Sequence, residues 1–86
     1  MYSKSIIVRS HAGLHNRQAT LFVQKANEFD SIIYLERGTQ RISAKSLLGV
    51  MCFDVKTGES ITITADGPDA QTAVTALEEF LLFDVY

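Results

Sequence analysis

Gly13-Leu14-His15-Asn16-Arg17-Gln18-Ala19 is the stretch best equipped for chemistry, because a histidine stands where a loop gives way to an amphipathic helix. The first turn of a helix carries unpaired backbone N–H groups and the positive end of the helix dipole, which together favour an anion. Arg17 adds a planar guanidinium that can donate charge-assisted hydrogen bonds to phosphoryl oxygens. Imidazole attacks phosphorus only when neutral, and a helix N-terminus disfavours imidazolium while welcoming the phosphate that forms. His15 therefore reads as a phosphoryl acceptor, with Arg17 as its catalytic charge and Asn16 and Arg17 as phosphate-binding residues. Transfer of this kind depends mainly on position and electrostatics.

Around this stretch, the elements follow from periodicity. Lys4 to Arg9 places Ile6 and Val8 on one face of a first strand, and Ser10-His11-Ala12-Gly13 ends it. Asn16 to Phe29 has helical spacing of Ala19, Phe22, Val23, Ala26 and Phe29. Ser31 to Glu36 and Gln40 to Ser43 form a hairpin about Arg37-Gly38-Thr39. Ser46 caps a short helix through Leu47-Leu48-Gly49-Val50-Met51. After a turn at Thr57-Gly58, Ile61, Ile63 and Ala65 alternate with Thr62 and Thr64 in a fourth strand. Asp66-Gly67-Pro68-Asp69 breaks the chain, and Ala70, Ala73, Val74, Leu77 and Leu81 mark a last helix with Asp69 as its expected cap. The order β-α-β-β-α-β-α points to an α+β fold with helices on one face of an antiparallel or mixed sheet.

Composition bounds the rest. Eighty-six residues suit one small domain, 1–86, with its chemistry on the surface. A net charge of −2, a pI near 5.5 and no Lys/Arg block argue against nucleic acid. Cys52, the single cysteine, fits a reducing compartment, and the N-terminal apolar run is too short for a signal peptide or membrane span. The expected location is cytoplasmic. His11, His15 and Cys52 make no ligand set, so neither metal nor cofactor is expected. Phe80-Leu81-Leu82-Phe83-Asp84-Val85-Tyr86 is more apolar than one helix face requires and reads as extra packing under the sheet rather than a self-association patch.

Two motifs at this spacing resemble HPr, the histidine-containing phosphocarrier family of the bacterial phosphoenolpyruvate-dependent sugar phosphotransferase system. Gly-Leu-His-x-Arg at 13–17 looks like the active-site signature, and Ala44-Lys45-Ser46-Leu47-Leu48-Gly49-Val50-Met51 like the signature around a regulatory serine. The resemblance implies an open-faced β-sandwich, a four-stranded antiparallel sheet covered by three helices. It implies no turnover enzyme but a carrier, accepting phosphate from Enzyme I on Nδ1 of His15 and passing it to sugar-specific IIA proteins. It also implies that Thr20, Leu47, Leu48 and Met51 belong to the docking rim. By the same resemblance Ser46 is a target for an HPr kinase/phosphorylase, its product acting with a catabolite-control transcription regulator, although a helix cap needs no other reason to be serine.

The chain departs from the family pattern in one turn. Where HPr proteins usually have Ala or Thr followed by Arg-Pro, it has Asn16-Arg17-Gln18. Without proline the turn is less pre-organised, which predicts an altered transfer rate. Asn16 is itself a strong cap, and Gln18 stands where it can reach back to a cap at His15. Two further readings stay open: a regulatory HPr-like interaction protein working through Ser46, in which the active histidine is expected to be absent, and a nitrogen-branch phosphocarrier.

Overall fold

The computed structural model describes residues 1–11, 13–14 and 16–83, with only the backbone of Asn16. The elements run β1 (Tyr2–Ile7), α1 (Asn16–Ala26), β2 (Ile32–Arg37), β3 (Gln40–Ser43), α2 (Leu47–Phe53), β4 (Ser60–Asp66) and α3 (Ala70–Leu82). The four strands form one antiparallel sheet in the order β1-β4-β2-β3. This is the open sheet with three helices that the element order and the family resemblance both called for.

Alternation decides which face is covered. Ile6, Ile33, Leu35, Ile61, Ile63 and Ala65 point to the helices and are buried. They meet Ala19, Phe22, Val23 and Ala26 of α1 and Ala73, Val74, Leu77 and Phe80 of α3 in one core, where Phe22 and Phe80 pack edge to face at 5.7 Å. The opposite face is polar. Across it Ser3 pairs with Thr64 and Ser5 with Thr62, their hydroxyls 3.0 and 2.8 Å apart, and Arg41 stacks on the Tyr34 ring at 3.6 Å.

β2 is shifted by one residue from Ser31–Glu36 to Ile32–Arg37, and the bounds of three other elements differ more from the sequence expectation. β1 begins at Tyr2, opposite Ala65, and stops at Ile7, because the N–H groups of Arg9 and Ser10 turn to the Leu81 carbonyl at the end of α3. Helix α1 ends at Ala26 and not at Phe29. The Asn27 amide bonds back to the Val23 carbonyl, Glu28 and Phe29 close tighter turns on Lys25 and Ala26, and the Lys45 ammonium takes the Phe29 carbonyl at 2.7 Å. Helix α2 runs two residues past Met51 and closes on Asp54 in the left-handed conformation, φ 56°.

Asp69 corrects a further expectation, since its side chain makes no cap bond to α3. The carboxylate accepts instead from the Asp30 N–H (2.9 Å), the Ser31 N–H (2.9 Å) and the Ser31 hydroxyl (2.5 Å), tying the α1–β2 loop to the start of α3. The Ser31 hydroxyl, and after it the Asp30 N–H, hold this carboxyl below the ordinary aspartate value of 3.8. A depressed folded pKa contributes stability that is complete above that value and is lost as pH falls through the lowered one. Urea unfolding followed from neutral pH to the acid side should therefore show a decline in stability that Asp69→Asn flattens. Identical acid-side slopes in the two proteins would show that the bonds to Ser31 and Asp30 contribute nothing to it.

Candidate functional site

The described residues between β1 and α1 lie on a ledge formed by the segment that leads into β4. Val8 N–H reaches the Glu59 carbonyl at 2.9 Å and Gly58 N–H reaches the Val8 carbonyl at 2.8 Å, extending the β1–β4 pairing beyond the regular strands. Leu14, fully buried, donates its N–H to the Val55 carbonyl at 3.1 Å. Gly13 lies against the same carbonyl with φ +59°, a conformation that only a residue without Cβ adopts freely, and its N–H turns back to the Ser10 carbonyl at 3.3 Å.

His15 lies outside the described residues, as do Ala12 and the side chain of Asn16, so the cap role weighed for His15 or Asn16 lies outside them too. Helix α1 opens at Asn16, and its first turn contains no acidic residue. The positive end of the helix dipole is thus not offset by a carboxylate of the helix's own first turn. Arg17 is exposed and Thr20 half-buried.

The helix of the second motif packs against α1, the helix into which the first motif leads. Val50 and Phe53 anchor α2 in the core. Leu47, Leu48 and Met51 are left 41%, 73% and 45% exposed, so all three form an apolar surface and none is a core residue. Ser46 is exposed and caps α2, its side-chain oxygen accepting from the Gly49 N–H at 3.0 Å, as its sequence position predicts. Thus the side chains proposed for docking lie on two helices packed together, Thr20 with Arg17 on α1 and Leu47, Leu48 and Met51 on α2, with Ser46 capping the latter.

Some expected features stay apart or fall elsewhere. Among the described residues no three His, Cys, Asp or Glu side chains gather to hold a metal, and Cys52 is an exposed thiol on α2. No helix among them is long and apolar enough to cross a membrane. Phe80 and Leu81 are buried, Leu82 is half-buried and Phe83 is exposed. Asp84, Val85 and Tyr86 lie outside the described residues, so only the first part of the C-terminal apolar run is assigned to packing.

Two residues of the site carried no sequence signal. Thr57 reaches back across the ledge to the chain ahead of His15, a contact made by folding and not by spacing. Ser10 is 2% exposed, and its hydroxyl has no hydrogen-bond partner among the described residues. An unpaired buried hydroxyl keeps its full desolvation cost, so Ser10→Ala should stabilise the protein by about 1 kcal/mol in chemical unfolding. A variant no more stable than wild type would mean that the hydroxyl is satisfied in solution.

The frame of the site is an open four-stranded antiparallel sheet under three helices, with α2 and its exposed apolar residues packed on α1. The chain matches, over residues 2–82, the family described as PTS HPr component phosphorylation site. It is 42% identical over 78 residues to phosphocarrier protein HPr of Treponema pallidum, covering 91% of this chain and 89% of that protein. To HPr-like protein Crh of Bacillus subtilis it is 39% identical over 85 residues, covering 99% and 100%. The structure of a phosphocarrier protein HPr from Bacillus anthracis superposes with a TM-score of 0.89 at 40% identity, covering 93% of this chain and 95% of that one. This chain belongs to the HPr family of the phosphotransferase system.

Proposed function

We propose that the protein is a phosphocarrier that accepts a phosphoryl group on His15 from phospho-Enzyme I and delivers it to sugar-specific IIA proteins in the cytoplasm. The observation that carries this reading is the adjacency of the two motif segments. Arg17 stands on the acid-free first turn of α1, the helix against which α2 packs with Leu47, Leu48 and Met51 left exposed. Such a surface offers a partner an apolar seat next to a cationic rim, and flexible Met51 suits successive partners of different shape. Both His15 and Arg17 of the acceptor motif are present.

In the carrier, the His15 imidazole attacks in its neutral form. Backbone N–H groups at the start of α1 and the Arg17 guanidinium hold the phosphoryl oxygens. The phosphoryl group waits on the histidine until a IIA acceptor takes it. The protein is thus an intermediate of a relay and not an enzyme with its own turnover. The test is delivery: radiolabelled phosphate loaded through Enzyme I should appear on added IIA. Label that stays on the chain through every IIA class would make it an endpoint and refute the carrier role.

A second reading is favoured by the relatives named HPr-like protein Crh and by the exposure of Ser46. Here an HPr kinase/phosphorylase modifies Ser46, and the product binds a catabolite-control transcription regulator. A phosphate at Ser46 would place a dianion beside Leu47 and Leu48, penalising any partner that must bury that surface. The retained His15 favours the carrier as the main activity, with Ser46 as its control.

A further inference from the structure

The geometry points to Thr57 as a positioning residue for phosphoryl acceptance, acting through the chain that leads to His15. This inference rests on the reading of His15 as acceptor. The Thr57 hydroxyl lies 2.5 Å from the Ser10 carbonyl oxygen and 3.0 Å from that of His11. A hydroxyl has one proton, so the shorter contact takes most of it and the longer one shares it. Two successive carbonyls that have left the β-ladder thus converge on a single side chain.

A grip of this kind positions a loop only if the gripping residue is itself held. The turn that carries Thr57 is closed by the Glu59 N–H on the Lys56 carbonyl at 3.2 Å and by the Lys56 N–H on the Glu59 carboxylate at 2.8 Å. Arg37 clamps that carboxylate from the other side at 3.0 Å, donates to the Phe53 carbonyl at 2.9 Å and lies 4.3 Å over the Phe53 ring. Thr57 is therefore backed by a turn fixed to β2 and to the end of α2. Its own side chain is exposed, so it contributes little to the core.

The first turn of α1 has no proline to fix its φ, and the aim of the acceptor has to be set by the chain before it. In the transfer, an imidazole nitrogen bonds to phosphorus as the donor's bond to phosphorus breaks. The electron pair stays on the donor, and the donor group takes up the proton the acceptor gives up. Small errors in approach are costly in such in-line steps.

The test compares Thr57→Val, nearly the same shape without the hydroxyl, with Thr57→Ser, which restores it, and with Thr57→Ala. Phospho-Enzyme I is the donor, its concentration is varied, and thermal unfolding is recorded alongside. The expected result is a maximal transfer rate lowered roughly tenfold in Thr57→Val and Thr57→Ala. The half-saturating donor concentration should be unchanged, because the docking surface is intact, and Thr57→Ser should recover most of the rate. Equal rates, a loss confined to half-saturation, no recovery in Thr57→Ser, or a loss that follows melting temperature across the variants would each overturn the role. If wild type accepts no phosphate at all, the reading of His15 fails, and this role with it.

Discussion

Gly13→Ala is expected to cost about 3 kcal/mol and to stop phosphoryl acceptance. A side chain at φ +59° carries a left-handed penalty of about 1–2 kcal/mol. The added Cβ would also collide with the Val55 carbonyl oxygen and stand 3.1 Å from the Val55 carbonyl carbon and 3.2 Å from Lys56 Cα. Those atoms are backbone and cannot turn aside as a side-chain tip would, so overpacking adds about 1–3 kcal/mol more. Relief requires lifting the loop off the ledge, which breaks the Leu14 bond to Val55 and moves the start of α1. Gly38 supplies the control. It has φ +58° at the first turn position of the β2–β3 hairpin, but a Cβ there meets nothing within 4 Å, so Gly38→Ala should cost only about 1 kcal/mol and leave transfer intact. Urea unfolding of both variants beside an Enzyme I assay checks the contrast, and equal losses in the two would show that the ledge contact is dispensable.

Leu48→Asp should have the opposite profile, with a large loss of transfer and no loss of stability. Leu48 is 73% exposed, the most open of the three apolar residues on α2, and little packing is lost when it is replaced. An apolar residue at the centre of a docking patch contributes about 2 kcal/mol to association when it anchors the interface. A buried carboxylate in its place adds a desolvation cost on top. The half-saturating concentration of Enzyme I should therefore rise at least roughly thirtyfold, with the maximal rate and the melting temperature nearly unchanged. A variant as easily saturated as wild type would remove Leu48 from the docking surface.

Strand and helix periodicity made most of the fold legible. Ile61, Ile63 and Ala65 are wholly buried where alternation put them, and Ser46 caps α2 as a serine ahead of an apolar run should. What periodicity cannot see is competition between local and distant partners. Phe29 continues the spacing of α1, yet the Lys45 ammonium and the Asn27 amide take up carbonyls there and the helix ends at Ala26. Asp69 is a good cap by type, yet its carboxylate finds three donors at Asp30 and Ser31 and leaves α3 uncapped by a side chain. Asp54 holds the left-handed end of α2, where glycine would be the sequence signal.

The candidate site divides in the same way. The acceptor motif, a histidine before a helix with Arg17 in its first turn, is a local pattern in the sequence, and an apolar α2 behind Ser46 was legible as another. The support of the site was not legible. The ledge of Val55, Thr57, Gly58 and Glu59 is far along the chain from the loop it holds, and no short-range rule connects Thr57 with the carbonyls of Ser10 and His11, 47 and 46 residues away.

The central claim is acceptance of a phosphoryl group on His15, and intact mass spectrometry tests it most directly. The protein and its His15→Ala variant would each be incubated with phosphoenolpyruvate and Enzyme I, then weighed before and after brief acid treatment. A single phosphoryl adduct on wild type that acid removes, and that the variant lacks, is the predicted result. An adduct that persists in the variant, or survives acid as a serine phosphate does, would contradict it, as would no adduct at all.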